Sequence, residues 1–229
     1  MKRLWVVVLG GLAACAPSLG GLPPAVHPTG RAGQTSVGVA AGGMLTLDET
    51  EEGGDDVAQL VIPWGEGWAR WGAGNGQLEL HILPSLASIG YRIDVAPMGP
   101  GMGFALVPAG QAGWTHVWQD EAGGDESNQG LLVLGGNLTG ILLFPTGTGF
   151  FYVAPRIGIN NLRVVGDAPE QADSVNLLTF GGAIGIDMGG QPGSIGVSFE
   201  LSVQRSSNMD SDDGSTPLWF IAPTLGLKI

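Results

Sequence analysis

Residues 194–205 read S-I-G-V-S-F-E-L-S-V-Q-R. Ile195, Val197, Phe199, Leu201 and Val203 alternate with Gly196, Ser198, Glu200, Ser202 and Gln204. In an extended chain successive side chains point to opposite faces, so this stretch has one apolar and one polar face. The run is long for a strand of a water-soluble sheet. It suits a tilted membrane-crossing strand of roughly 9–11 residues.

Nine other stretches repeat the pattern to different degrees, at about 36–47, 58–72, 77–84, 87–97, 102–119, 130–144, 150–164, 175–188 and 217–229. In the third, Leu78, Leu80 and Ile82 alternate with Gln77, Glu79 and His81; in the fourth, Ile89, Tyr91, Ile93 and Val95 alternate with Gly90, Arg92, Asp94 and Ala96. The expected fold is all-β: an antiparallel up-and-down transmembrane barrel of about ten strands, within a range of eight to twelve. The 41 glycines among 229 residues follow no collagen period and interleave with apolar residues, as Gly-rich β structure with tight turns would have them.

The connections alternate in length. Short Gly, Pro and Asn turns join strands 2–3, 4–5, 6–7 and 8–9, whereas acidic loops at 48–56, 120–128, 166–174 and 206–216 join strands 1–2, 5–6, 7–8 and 9–10. Only the 3–4 connection, at Pro84 and Ser85, departs by being short. Outer-membrane barrels have short periplasmic turns, long outer loops and an even strand number. The expected location is therefore the bacterial outer membrane with the N-terminus on the periplasmic side. A formal net charge of −12 excludes nucleic acid as a natural partner.

Sixteen of the 21 acidic residues fall in the four loops, leaving Glu66, Glu79, Asp94, Asp187 and Glu200 in the strands. These five, with Arg70, His81, Arg92, Arg156 and Arg205, are the candidate lumen charge network. In a narrow barrel they should meet as cross-lumen Arg–carboxylate pairs and plug the interior. Trp71, Phe144, Phe150 and Phe151 fall at turn-side strand ends and Trp118 and Trp219 at loop-side ends, as two aromatic girdles would. Pro63, Pro108, Pro155 and Pro223 lie inside proposed strands, where each removes a ladder donor, so bulges or rim positions are expected there.

The N-terminus carries Lys2 and Arg3, an apolar run from Leu4 to Leu12, and then L-A-A-C at 12–15. This resembles the lipobox of bacterial lipoprotein signal peptides, which implies that Cys15 becomes the first mature residue and carries lipid. Ala16 after it, rather than Asp, implies outer-membrane delivery. The expected organisation is a signal peptide at 1–14, a Pro/Gly-rich tether at 15–34 and the barrel at 35–229. The segments G-W-A-R-W-G (67–72), N-G-Q-L-E-L (75–80) and Y-R-I-D-V-A (91–96) resemble small Gram-negative outer-membrane barrel proteins. The final A-P-T-L-G-L-K-I resembles the terminal strand read by the barrel insertion machinery, although it ends in Ile229 where that signal has Phe. The resemblance implies outer-membrane lipid, lipopolysaccharide and that machinery as partners, and implies no activity.

Residues for chemistry are few. There are three His and one Cys, with no H-E-x-x-H, C-x-x-C or G-x-S-x-G. His81 shares a polar face with Glu79, but no Ser has the spacing of the outer-membrane lipid hydrolases and acyltransferases, so no enzyme and no cofactor is expected. Asn208, Asp210 and Asp212 make a weak calcium candidate, because Asp213 stands where that loop needs Gly. Three functions fit: a structural or interaction barrel without turnover, a narrow channel for small solutes, or a soluble lipid-anchored lipocalin-like barrel. The last requires Ile195, Val197 and Phe199 to point inward around an apolar ligand and Glu200 to point outward. Replacing Cys15 with Ser is expected to abolish incorporation of radiolabelled fatty acid, and labelling that persists in the Cys15→Ser chain would refute lipidation at this site.

Overall fold

The computed structural model describes residues 26, 35–48, 60–73, 76–96, 101–119, 127–166, 174–189, 195–209 and 218–229. Ten strands follow one another: β1 (Ser36–Asp48), β2 (Leu60–Ala73), β3 (Gly76–Leu83), β4 (Leu86–Ala96), β5 (Gly103–Gln119), β6 (Ser127–Pro145), β7 (Gly149–Gly166), β8 (Ser174–Met188), β9 (Gly196–Asn208) and β10 (Leu218–Lys228). Each pairs antiparallel with its neighbours in the chain, and β1 also pairs with β10, which closes the barrel. Closure removes the sheet edges that an open sheet of this size would expose.

The ten strands fall where the alternation predicts, with ends displaced by a few residues: β2 begins at Leu60 rather than near 58, and β6 at Ser127 rather than near 130. All ten strands are longer than the five to six residues usual in globular sheets. The β2–β3, β4–β5, β6–β7 and β8–β9 connections and the two outer ends of β1 and β10 lie at one end of the barrel, the turn end. There Val37 and Ile229 exchange backbone hydrogen bonds at 3.2 and 2.9 Å. The β3–β4 turn and the other four connections lie at the opposite end, the loop end. In the β8–β9 turn Gly189 has φ +81°, a conformation that L side chains adopt only at a cost.

The two faces sort as the alternation requires. The apolar set Val197, Phe199 and Val203 points outward, and Ser198, Glu200 and Gln204 are enclosed. The same division runs round the barrel: Ile89, Leu138, Ile157, Ile184 and Leu225 stand exposed outside, while Arg70, Arg92, Asp187 and Glu200 are enclosed. This is the reverse of a soluble ligand-binding barrel, so the lipocalin-like arrangement is excluded by the direction of the side chains.

Pro108, Pro155 and Pro223 occupy neither bulges nor rims, whereas Pro63 lies on the part of β2 that extends past β3 at the loop end. Pro63, Pro108, Pro155 and Pro223 keep register opposite Gly43, Leu138, Gly182 and Leu201. The last three face outward, and each interrupts the ladder on one side only: β4–β5 pairing lapses between Gly90 and Ile93, β6–β7 between Thr139 and Leu142, and β1–β10 between Gly42 and Leu45. The missing N–H is absorbed by one lapse while the other neighbour holds the strand. The one register shift lies between Asp94 and Ala96.

Interior glycines make room for larger lumen side chains. A Cβ at Gly185 would overlap the phenol end of Tyr152 and crowd the Phe199 carbonyl. Gly185→Val is therefore expected to cost about 1–3 kcal/mol of stability through overpacking. Gly67→Val, at a position with open space around it, should stay within about 0.5 kcal/mol. Denaturant unfolding of the two variants in detergent would read this, and equal midpoints would refute it.

Candidate functional site in the barrel lumen

The five strand carboxylates Glu66, Glu79, Asp94, Asp187 and Glu200 lie on the enclosed face. Arg70, His81, Arg92 and Arg156 join them. Arg70 and Glu79, directly opposite each other on β2 and β3, pair at 3.1 Å, and Arg92 and Asp94, two apart on β4, pair at 2.7 Å. These two ion pairs run along the wall, where cross-lumen pairs were expected. The reason is geometric: neighbouring Cβ atoms on one face of a sheet are about 4.5–5.5 Å apart, well within the reach of a guanidinium. His81 stands between two acids, with Nδ1 3.6 Å from Glu66 and Nε2 3.8 Å from Glu79, too far for hydrogen bonds. Arg156 donates to the Thr139 hydroxyl at 2.7 Å.

Glu200 is fully enclosed and collects three donors. Its Oε2 accepts from the Tyr152 hydroxyl at 2.7 Å and from the Val26 backbone N–H at 2.8 Å, and its Oε1 accepts from Ser202 at 2.8 Å. Val26 belongs to the stretch expected to be a tether outside the domain, yet it lies inside the barrel, 5% exposed. Its carbonyl accepts from Arg70 Nη2 at 2.6 Å.

Two lumen residues escape the sequence reading. Lys228 pairs with the enclosed Asp187 and lies 5.7 Å from the Phe150 ring. Strand parity could have found it, because Thr224, Gly226 and Lys228 share one face of β10. Tyr152 could have been found in the same way, because it shares one face of β7 with Ala154 and Arg156. The described interior thus sets five carboxylates against Arg70, Arg92, Arg156 and Lys228, close to balance.

Arg205 is corrected. It shares the outward face of Val203, and its guanidinium lies 5.6 Å from the Phe180 ring and 5.7 Å from the Trp219 ring. Both rings belong to its cross-strand partners on β8 and β10. Phe150 is corrected as well: it is enclosed with Tyr152, 6.3 Å ring to ring, rather than part of a girdle. Trp71, Phe144 and Phe151 do lie outside near the turn end, with Phe144 and Phe151 6.0 Å apart. The Trp118 side chain, Cys15, Asp210 and Asp212 lie outside the described residues. Asn208 ends β9, and among the described residues no cluster of metal-binding side chains occurs.

The inside also has an apolar wall. Val107, Ile141, Leu143, Phe150, Tyr152 and Ala183, from β5 to β8, pack together with Val26. Between Val26 and the polar wall remains a cavity of about 30 Å³, lined among others by Glu79, His81, Asn137 and Arg156. A polar space of this size can hold water but no larger solute. A larger groove of about 630 Å³ lies on the outside, where Gly110 and Gly136 leave a dent between Pro108, Leu138 and Ile157.

No family model and no curated protein matches the chain. Among solved structures, Ail, the attachment invasion locus protein of Yersinia pestis, is similar with 9% identity and a TM-score of 0.38, over 86% of this chain and 99% of that one. Neisserial surface protein A is similar with 11% identity and a TM-score of 0.39, over 85% and 97%. The monoaromatic hydrocarbon channel CymD is similar with 8% identity and a TM-score of 0.30, over 86% and 88%.

Removing one member of the Arg70–Glu79 pair leaves an enclosed charge without its partner. Arg70→Met is expected to cost about 3–5 kcal/mol, and adding Glu79→Met should recover most of it. A double-mutant cycle by denaturant unfolding checks this, and additive losses would refute the coupling.

Proposed function

We propose that the chain is a barrel of the bacterial outer membrane, with a structural or interaction role and no turnover. Its lumen is closed by charged side chains, its N-terminus is periplasmic and Cys15 is its lipid anchor. The observation that carries this reading is the outer wall. On β7 the outward residues from Phe151 through Val153, Pro155, Ile157 and Ile159 are all apolar, and polar side chains begin at Asn161 and Arg163. The ten steps from Phe151 to Asn161 rise about 33 Å along the strand, or about 25 Å of height at the usual tilt near 40°, which is the height of a membrane barrel's apolar band. At the upper limit Asn161 hydrogen-bonds Asn176 at 2.9 Å. At the lower limit stand Trp71, Phe144, Phe151 and Tyr91, whose hydroxyl donates to the Ala73 carbonyl at 2.6 Å. Exposed apolar surface this continuous marks a surface that is covered in the native environment.

The reading is supported further by the loops. The long connections that carry most of the acidic residues leave from the end opposite the short turns, as surface loops facing the outside of the cell would. The same reading makes outer-membrane lipid, lipopolysaccharide and the barrel insertion machinery the partners. The narrow-channel alternative is disfavoured by the small size of the cavity beside Val26.

Ile157, 52% exposed at the middle of β7, separates membrane from water. Ile157→Arg should cost about 2–4 kcal/mol for a chain folded in a bilayer. At an exposed position facing water it would stay within about 0.5 kcal/mol. Unfolding from lipid vesicles, together with the gel shift between unheated and boiled samples, reads this. A neutral Ile157→Arg and no heat-dependent shift would overturn the membrane reading.

A further inference from the structure

The lumen has two unlike walls, and Val26 sits between them. Its side chain joins the apolar cluster that includes Val107, Ile141 and Leu143. Its N–H meets the Glu200 carboxylate at 2.8 Å and its carbonyl meets the Arg70 guanidinium at 2.6 Å. An acceptor and a donor are thus offered to both backbone groups of a single residue, as a neighbouring strand would offer them. Both bonds are charge-assisted, which makes each roughly twice as strong as its neutral counterpart. Tyr152 and Ser202 hold the carboxylate, and Glu79 holds Arg70 from the side, so the two groups are positioned by residues that do not touch Val26 through their polar atoms.

We infer that the lumen contains a backbone-reading slot for a single residue with an apolar side chain, and that the slot's occupant is this chain's own Val26. Neither the charge pairs nor the membrane reading requires such an occupant. The slot reads N–H and C=O rather than a sugar or a phosphate, because it offers one carboxylate and one guanidinium spaced for a single residue and an apolar wall for its side chain. With the slot filled, the space left at this level is the cavity of about 30 Å³. Val26 is therefore a stopper, and the lumen is blocked by the chain itself as well as by its charged side chains.

The test uses the full chain carrying Cys15→Ser and Val26→Cys, folded in detergent and treated with a charged maleimide. The expected result is a thiol that reacts at least about tenfold more slowly in the folded barrel than after heating, a factor worth about 1.4 kcal/mol. Adding Glu200→Ala should bring the rate close to that of the heated chain while the unheated band keeps its folded mobility. If Glu200→Ala does not reach folded mobility, Glu200→Gln decides, because it keeps the shape and drops the charge; its rate should fall between the two. A thiol at position 26 that reacts at the unfolded rate in a band of folded mobility would overturn the slot. So would protection in the Glu200→Gln chain equal to that of the parent. The folded mobility itself reports on the barrel, so failure of the slot is distinguishable from failure of the membrane reading.

Discussion

The carboxylate of Glu200 has no contact with solvent, and an enclosed charge is tolerated only when its lone pairs are filled. Its donors come from β7, from β9 itself and from the N-terminal stretch, parts of the chain up to 174 residues apart in sequence. Satisfying that one group draws the N-terminal stretch into the barrel and fixes the Tyr152 ring against the apolar wall. Arg70 places the same demand from β2, answered by Glu79 and by the Val26 carbonyl. The two ions are linked through a single residue's backbone, which is why Val26 is held although its side chain is only a valine.

Filling the inside with ions and glutamines has a consequence for the outside. The chain keeps its apolar residues, and closure gives them one place to go. Gly185 on the inner face of β8 leaves volume for Tyr152, while Phe180, Ile184 and Ile186 on the other face of the same strand stand exposed. The outer prolines belong to the same logic. A lost ladder bond at Pro108, Pro155 or Pro223 is tolerated because each strand of a closed barrel has a second partner that stays paired.

Much of this was legible in the chain. Strand number and placement follow from side-chain alternation and from the turn residues, both local properties. The lumen carboxylates were legible because each sits on the small, polar face of a well-alternating strand. Arg205 was misplaced for a related reason: its charge suggested the lumen, whereas its parity with Val203 put it outside, between Phe180 and Trp219. Parity is geometric and holds along a continuous strand; the preference of a charge for the interior is only a tendency. Phe150 shows the limit of aromatic position as a signal, since its place near a turn end says nothing about which face it takes.

The sequence by itself determined that ten strands form, that short turns alternate with long acidic connections, and that strands such as β3, β4 and β9 have one apolar and one polar face. Only the tertiary structure decided which of those faces is enclosed, that Arg70 meets Glu79 along the wall, and that Val26 lies within the barrel. The physical reason is the range of the interactions. Alternation and turn chemistry act over a few residues and leave a pattern in the chain. The enclosure of a face and the capture of a backbone N–H and C=O depend on residues far apart in sequence, and a backbone hydrogen bond leaves no mark on the identity of the residue that makes it.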